Sequence, residues 1–94
     1  GGMTVVGSCS NLTLNLGSSR TTVCEDWYAP ATTQNVTDNC PSPGVVGAGA
    51  CTGTGLVGSC TGLMDHGLPF TYRFYSGTAA DLMPLCTALG GTFR

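Results

Sequence analysis

The chain has 94 residues and a formal net charge of −2, and only 9% of its residues are charged, against roughly 25% in ordinary soluble domains. It contains no lysine and only three arginines, so it lacks the basic stripe that a nucleic-acid-binding protein needs. No apolar run approaches the roughly 20 residues of a membrane-spanning helix, so we expect no membrane span.

Six cysteines offer three disulfides to a chain that is too short to bury a large core. An even number of cysteines in a short chain is typical of an oxidising compartment. No two of them form a Cys-x-x-Cys pair, which argues against zinc ribbons, thioredoxin-like redox motifs and c-type haem attachment. We therefore expect an extracellular or cell-surface protein that was exported by a signal sequence since removed.

The first half of the chain predicts a β-hairpin followed by a short helical segment. Leucines alternate with polar residues over 12–16, a pattern typical of a half-buried strand. Residues 17–19 predict a turn, and the β-branched and aromatic residues of 20–28 predict the returning strand. Residues 32–39 are poor helix formers and predict a helical turn only. A short closing strand is expected at 45–46.

The second half predicts the same elements in the same order. Residues 55–64 predict a strand, 65–69 a turn and 70–75 the returning strand. Residues 78–89 predict a helix that begins with a capping box and places Leu82, Leu85, Cys86 and Leu89 on one face. Residues 92–93 predict a closing strand.

An internal repeat accounts for this similarity. The predicted fold is a small disulfide-rich β (α+β) protein, with two tandem hairpin–short helix–strand units, 1–47 and 48–94, in one compact stapled domain. Three landmarks recur in order with a period of 46 to 51 residues: Val6-Gly7-Ser8-Cys9 with Val57-Gly58-Ser59-Cys60, Trp27-Tyr28 with Phe74-Tyr75, and Cys40-x-x-x-Gly44 with Cys86-x-x-x-Gly90.

The repeat also predicts how the cysteines pair. Six cysteines allow 15 connectivities, and matched cysteines favour matched bonds. The expected pairs tie each first strand to the following helix, and the two unmatched cysteines then join the units. The predicted bonds are Cys9–Cys40, Cys60–Cys86 and Cys24–Cys51.

The second half resembles short Cys-rich modules at the C-terminal ends of exported bacterial surface proteins and lipoproteins. The first half departs from this pattern, because it lacks a counterpart of Cys51 and a second glycine after Gly44. The resemblance implies a location at the cell exterior and no particular activity. It rests on Cys51, Val57-Gly58-Ser59-Cys60, Tyr72-x-x-Tyr75-Ser76 and Cys86-Thr87-Ala88-Leu89-Gly90-Gly91-Thr92-Phe93.

No catalytic constellation is evident. His66 is the only histidine and lies in a predicted turn beside Asp65. A general base needs a nearby nucleophile and an orienting partner, and adjacent residues of a turn seldom provide both. Glu25 and Asp26 are adjacent on a predicted strand, so their side chains are expected to point to opposite faces. We predict no catalytic residue, no metal site and no cofactor, and hence a protein that is not an enzyme.

The aromatic residues allow two interpretations. Trp27, Tyr28, Tyr72 and Tyr75 occupy matched strand positions, where they would pack in the core and against the disulfides. Alternatively, they form a platform for a glycan or a protein partner, since Trp and Tyr are enriched at interfaces.

The leading functional hypothesis is an extracellular structural subunit that packs with copies of itself, or with another surface protein, into a filament or layer. Its weakly charged sequence leaves strand edges open to added strands. The segment Met3, Thr4, Val5 and Val6, after Gly1-Gly2, is the candidate donor strand. The alternatives are a secreted binding module for glycans or proteins, and a small inhibitor or toxin that presents the loop 65–69.

Overall fold

The computed structural model describes residues 3–94, and it confirms a small, mostly antiparallel β fold with two short helices and three disulfides. The six strands form one sheet in the order β3-β1-β2-β5-β4-β6. The elements in chain order are β1 (Val5–Leu16), β2 (Ser19–Tyr28), α1 (Thr33–Asp38), β3 (Val45–Gly47), β4 (Gly58–Asp65), β5 (Leu68–Phe74), α2 (Ala79–Ala88) and β6 (Thr92–Phe93).

The strand order places two β-β-α-β segments side by side, with β2 and β5 adjacent at the centre of the sheet. Residues 23–27 of β2 pair with 70–74 of β5, and Glu25 opposite Tyr72 is the middle pair. The β1–β2 and β4–β5 hairpins each have a β-bulge after their first cysteine. It lies between Cys9 and Leu12 in β1 and between Cys60 and Leu63 in β4. These bulges tighten the local twist of both hairpins.

The two hairpin turns are shorter than predicted, because only two residues lie between the strands. Gly17 has φ 63° in the first turn, whereas His66 and Gly67 have φ 51° and 81° in the second. Such turns match the right-handed twist of paired strands. Of the predicted turn residues, Ser19 begins β2, and Asp65, Leu68 and Pro69 belong to β4 and β5, so no loop spans 65–69.

Both helices begin at a threonine cap. Thr32 accepts a hydrogen bond from the Asn35 backbone N–H, and the Asn35 side chain accepts one from the Thr32 N–H, so α1 is a capped helix rather than the single turn predicted. Thr78 caps α2 in the same position. Leu82 and Cys86 of α2 are buried, whereas Leu89, which the periodicity assigned to the same face, ends the helix and is 44% exposed.

The three disulfides join the pairs expected from the repeat, and all six cysteines are bonded. Cys9–Cys40 ties β1 to the chain just after α1, and Cys60–Cys86 ties β4 to α2. Cys24–Cys51 ties β2 to the segment that joins β3 and β4. Together they attach both helices and this joining segment to the sheet.

A glycine packs directly on each of the two matched disulfides. A Cβ atom on Gly44 would lie 2.9 Å from the Cys9 Sγ, and one on Gly91 would lie 2.5 Å from the Cys60 Sγ. Gly44 immediately precedes β3 and Gly91 immediately precedes β6. Gly44 and Gly91 therefore occupy similar places beside a disulfide and before a short strand, whereas nothing lies within 4 Å of a Cβ at Gly90.

We expect Gly91→Ala to lower the free energy of unfolding by about 1–3 kcal/mol, because the new methyl group meets the Cys60 sulfur and the Thr61 carbonyl. Gly49→Ala is the matched control, since nothing lies within 4 Å of a Cβ at that position. Urea denaturation of both variants, with disulfides intact, measures the difference. Equal stability of the two variants would contradict the packing described for Gly91.

The two faces of the sheet bury different kinds of side chain. The face under the helices carries the hydrophobic core, which includes Val23, Trp27, Phe74 and Leu82. On the opposite face Asp26 is 2% exposed and accepts hydrogen bonds from Arg73 and from the Cys51 backbone N–H. Arg73 also donates to Ser59 and Tyr28, and Tyr28 donates to Thr71. This polar network takes the place of a second apolar core.

Candidate binding groove between the helices

A groove of about 280 Å³ lies on the helical face of the sheet, over the junction of β2 and β5. Strand residues form most of its lining, and the last residues of both helical segments complete it. The lining residues are Glu25, Trp27, Asn39, Leu63, Met64, Asp65, Phe70, Tyr72 and Leu89.

Strand periodicity explains which side chains reach the groove. Glu25 and Trp27 are two residues apart on β2, and Phe70 and Tyr72 are two apart on β5, so each pair lies on one face. The Trp27 and Phe70 rings stack with centroids 4.8 Å apart, and Phe70 meets Tyr72 edge to face at 5.1 Å. This aromatic row fixes the side chains on either side of Glu25.

Glu25 is a buried acid in this groove. It is 7% exposed, and the Trp27 indole Nε1 donates a hydrogen bond to its Oε1 at 3.2 Å. Burial, together with a smaller effect of the negative charge of Asp65, raises the pKa of Glu25 from 4.5 to about 7, although hydrogen bonds from Trp27 and Tyr72 oppose the rise. Glu25 therefore titrates near neutral pH.

Tyr72, opposite Glu25, stays protonated over the same range. Burial, assisted by the charges of Glu25 and Asp65, raises the pKa of Tyr72 to about 12. Its phenol can therefore act as a hydrogen-bond donor to a bound group or to Glu25 at any physiological pH. The groove thus holds a carboxyl group that titrates near neutral pH and, besides the Trp27 indole, a second permanent donor.

The rim of the groove is acidic. The Asp65 side chain is 44% exposed and lies 2.9 Å from the Nδ1 of His66, which itself is 91% exposed. Helix α2 ends at Leu89, so the negative end of its dipole borders the groove. No arginine lies among the lining residues, and Arg73 is engaged on the opposite face.

The four predicted aromatic residues do not form one exposed platform. Trp27 is 1% exposed and lies in the core beneath the groove, beside Tyr72. Tyr28 is 6% exposed and donates to Thr71 on the opposite face. Tyr75 donates to the Thr52 carbonyl at 2.7 Å. The four side chains lie on different faces because adjacent strand residues such as Trp27 and Tyr28 point in opposite directions.

The predicted donor strand is already paired with its own chain. Val5 pairs with Tyr28 in the sheet, Val6 packs against the core, and the Thr4 carbonyl accepts the Ala29 N–H at 3.1 Å. Met3, at 60% exposure, is the exposed end of this segment. Donation of this segment to another copy would therefore first require these contacts to break. Gly1 and Gly2 lie outside the described residues.

Sequence reasoning missed Glu25 as a groove residue. The prediction that Glu25 and Asp26 face opposite ways is confirmed, since Glu25 meets Trp27 and Asp26 meets Arg73. The available signal was the alternation Val23, Glu25, Trp27, which puts a carboxyl group between two core positions. An acid in that pattern is either paired or shifted in pKa.

Comparisons with protein families, with curated proteins and with solved structures give no match to this chain. Within residues 3–94, no cluster of three or more His, Cys, Asp or Glu side chains is arranged to hold a metal ion. In the same part of the chain, neither helix has the length and apolar character needed to cross a bilayer.

Proposed function

We propose that this chain is an extracellular structural subunit that associates with further copies of itself through the outer edge of β1. The observation that carries the proposal is an uncharged, unpaired stretch of that edge, Leu12–Leu16. The cell exterior is the location favoured by the three disulfides and by the resemblance of residues 51–93 to exported modules.

The edge is open because β3 is short. Within residues 3–94, β3 covers only Ser8–Ser10 of β1, and no strand flanks Leu12–Leu16 on the outer side. The two-residue turn makes Leu16 and Ser19 a hydrogen-bonded pair, and bonding alternates along β1 from there. The backbone N–H and C=O groups of Thr13 and Asn15 therefore point outward, available to another strand.

The side chains of this edge favour a second copy as the added strand. Leu12, Leu14 and Leu16 are only partly buried against the core. Antiparallel pairing of two such edges would put the leucines of both copies side by side on the helical face and bury more of each. Natural edges are usually blunted by charge, and none of the residues 12–16 is charged.

The opposite end of the sheet is better protected. The outer edge of β4 is covered by β6 at Cys60 and Thr61, and the exposed acid Asp65 ends the strand. Two copies paired there would bring like charges together, which is unfavourable. Association through β1 alone gives a closed pair, and a filament requires β1 to meet the β4 edge of the next copy.

We further infer that the chain consists of two tandem units, 1–47 and 48–94. This inference is supported by the matched position of the two bulges, where Asn11 and Gly62 have φ 62° and 78°. The matched packing of Gly44 and Gly91 on disulfides supports it as well. On this view the two edges began as equivalent surfaces and now differ in charge.

A double substitution on the edge tests the proposed assembly. We expect the native chain to sediment as a dimer or larger species at millimolar concentration, and Thr13→Lys with Asn15→Lys to sediment as a monomer. Lysines at these positions repel their counterparts in a second copy. The two residues are exposed, so the free energy of unfolding should change by less than about 0.5 kcal/mol.

Thr22→Lys is the matched control for the charge. Thr22 pairs with Thr13 on the neighbouring strand, is exposed on the same face, and lies one strand in from the edge. It should assemble as the native chain does. A native chain that remains monomeric at millimolar concentration would overturn the proposal, and so would equal loss of assembly in Thr22→Lys and the edge variant.

A further inference from the structure

We propose that the groove between the helices binds an alkylammonium group, such as the side chain of a lysine in a partner protein, with Glu25 as its counter-ion. The groove lies over the middle of the sheet, whereas the assembly edge is the free side of β1, so this inference does not depend on the proposed assembly.

The charge of the groove selects a cation. Glu25 lies at its floor and Asp65 at its rim, and α2 directs the negative end of its dipole toward it. His66, the one basic group beside the rim, is 91% exposed and held at Asp65, away from Glu25. The Trp27 indole and the Tyr72 phenol occupy at most two of the roughly four acceptor positions of the Glu25 carboxylate, which leaves room for another donor.

The walls select an organic cation over a metal ion. Phe70, Tyr72 and Leu63 contribute aromatic and aliphatic groups beside the carboxylate, in a lining whose exposed surface is more polar than apolar. An alkylammonium group gains from aromatic rings and apolar contact along its methylene stem. A hard metal ion instead requires several converging oxygen ligands, and within residues 3–94 no three His, Cys, Asp or Glu side chains are placed to hold one.

The size and the composition of the chain limit what the occupant can be. A volume of about 280 Å³ is slightly below that of sites for drug-sized ligands, so it suits one side chain or a small amine. Residues 1–94 contain no lysine, so this part of a second copy cannot supply a lysine ammonium group. A lysine of a different protein and a free amine are the two sources that the experiment below distinguishes.

Binding is linked to the ionisation of Glu25. A cation interacts favourably only with the carboxylate, so it binds the deprotonated groove and lowers the pKa of Glu25. The titratable groups that face Glu25 are Tyr72 from β5 and Asp65 from β4, whereas α1 and α2 contribute only Asn39 and Leu89 to the groove. Affinity should therefore rise as the pH increases from 5 to 8.

The only tryptophan of the chain reports on the site, because Trp27 donates to Glu25. We expect n-butylammonium to change Trp27 fluorescence saturably at pH 8, and the dissociation constant to increase at least tenfold at pH 5, where Glu25 is protonated. Nα-acetyl-lysine-N-methylamide has a free side-chain ammonium group. It should bind as tightly as butylammonium, or more tightly, if the natural source is a protein. Tighter binding of butylammonium would identify a free amine as the source.

Glu25→Gln keeps the acceptor for Trp27 but removes the charge, and it should weaken butylammonium binding at least tenfold at pH 8. Asp38→Asn is the matched control, since Asp38 is an exposed acid of α1 outside the groove lining, and its affinity should be unchanged. Three results would each overturn the proposal. They are binding of n-butanol as tight as that of n-butylammonium, binding of methylguanidinium tighter than that of n-butylammonium, and an n-butylammonium affinity that Glu25→Gln leaves unchanged.

Discussion

Replacing Glu25 with glutamine is expected to raise the free energy of unfolding by about 2–3 kcal/mol above pH 8 and to leave it unchanged near pH 4. The native chain must ionise a buried carboxyl group as the pH rises, whereas the glutamine is neutral throughout. Since small domains are stable by only about 5–15 kcal/mol, this is a large fraction of the total.

The sign follows from the direction of the shift. Burial raises the pKa of Glu25 from 4.5 in the unfolded chain to about 7 in the fold, so the folded state holds its proton more tightly. The resulting stabilisation is complete below about pH 4.5 and is lost as the pH rises through about 7. Urea denaturation of both chains from pH 4 to pH 9 measures the difference.

Asp65→Asn serves as the comparison for Glu25→Gln, because Asp65 borders the same groove but has a side chain that is 44% exposed. We expect a much smaller pH-dependent change in this variant. A difference between native and Glu25→Gln chains that does not vary with pH would show that Glu25 ionises as an exposed acid does.

Arg73→Met is expected to lower the free energy of unfolding by about 3 kcal/mol or more, because it leaves the charge of Asp26 buried without its ion pair. The Asp26 side chain is 3% exposed and receives the Arg73 Nε–H at 2.9 Å. The Cys51 backbone N–H, at 2.7 Å, is its other donor and does not neutralise it. Urea denaturation at pH 7 with disulfides intact measures the loss.

Asp26→Asn should lower the free energy of unfolding by about 1–2 kcal/mol, which is less than the loss expected for Arg73→Met. The Arg73 side chain is 28% exposed and keeps its contacts with Ser59 and Tyr28. The double variant should lose less than the sum of the two single losses, since it contains no unpaired buried charge. Additive losses would contradict the ion pair as the source of the effect.

Local patterns were sufficient to predict most of the elements. Alternating leucines at 12–16 and the aromatic residues of 70–75 predicted paired strands, and the recurrence of Val-Gly-Ser-Cys predicted which cysteines pair. The lengths of the turns could not be predicted. The first is one residue and the second three residues shorter than expected, because strand pairing continues up to Leu16 and Ser19 and up to Asp65 and Leu68. The bulges after Cys9 and Cys60 could not be predicted. A bulge is an extra residue on one strand relative to its partner, so it can be recognised only once the partner strand is known.

The groove could not be predicted because it arises from contacts between distant parts of the chain. Glu25 meets Tyr72 only after β2 pairs with β5, which are 47 residues apart at that point. Asn39 and Leu89 border it because both helices end over the centre of the sheet. The sequence contains each residue, but the burial that shifts the pKa of Glu25 is a property of the assembled sheet.

The disulfides also determine how this chain would respond to a pulling force. Tension applied to the two ends of the chain passes through the Cys60–Cys86 bridge, so residues 61–85 bear no load. The Cys9–Cys40 and Cys24–Cys51 bridges likewise shorten the loaded path through the first half. Most of each hairpin is thereby removed from the shortest covalent path, which includes residues 5–9 of β1, β3, residues 58–60 of β4, and β6. The chain can therefore extend only through its unbridged segments unless a disulfide breaks.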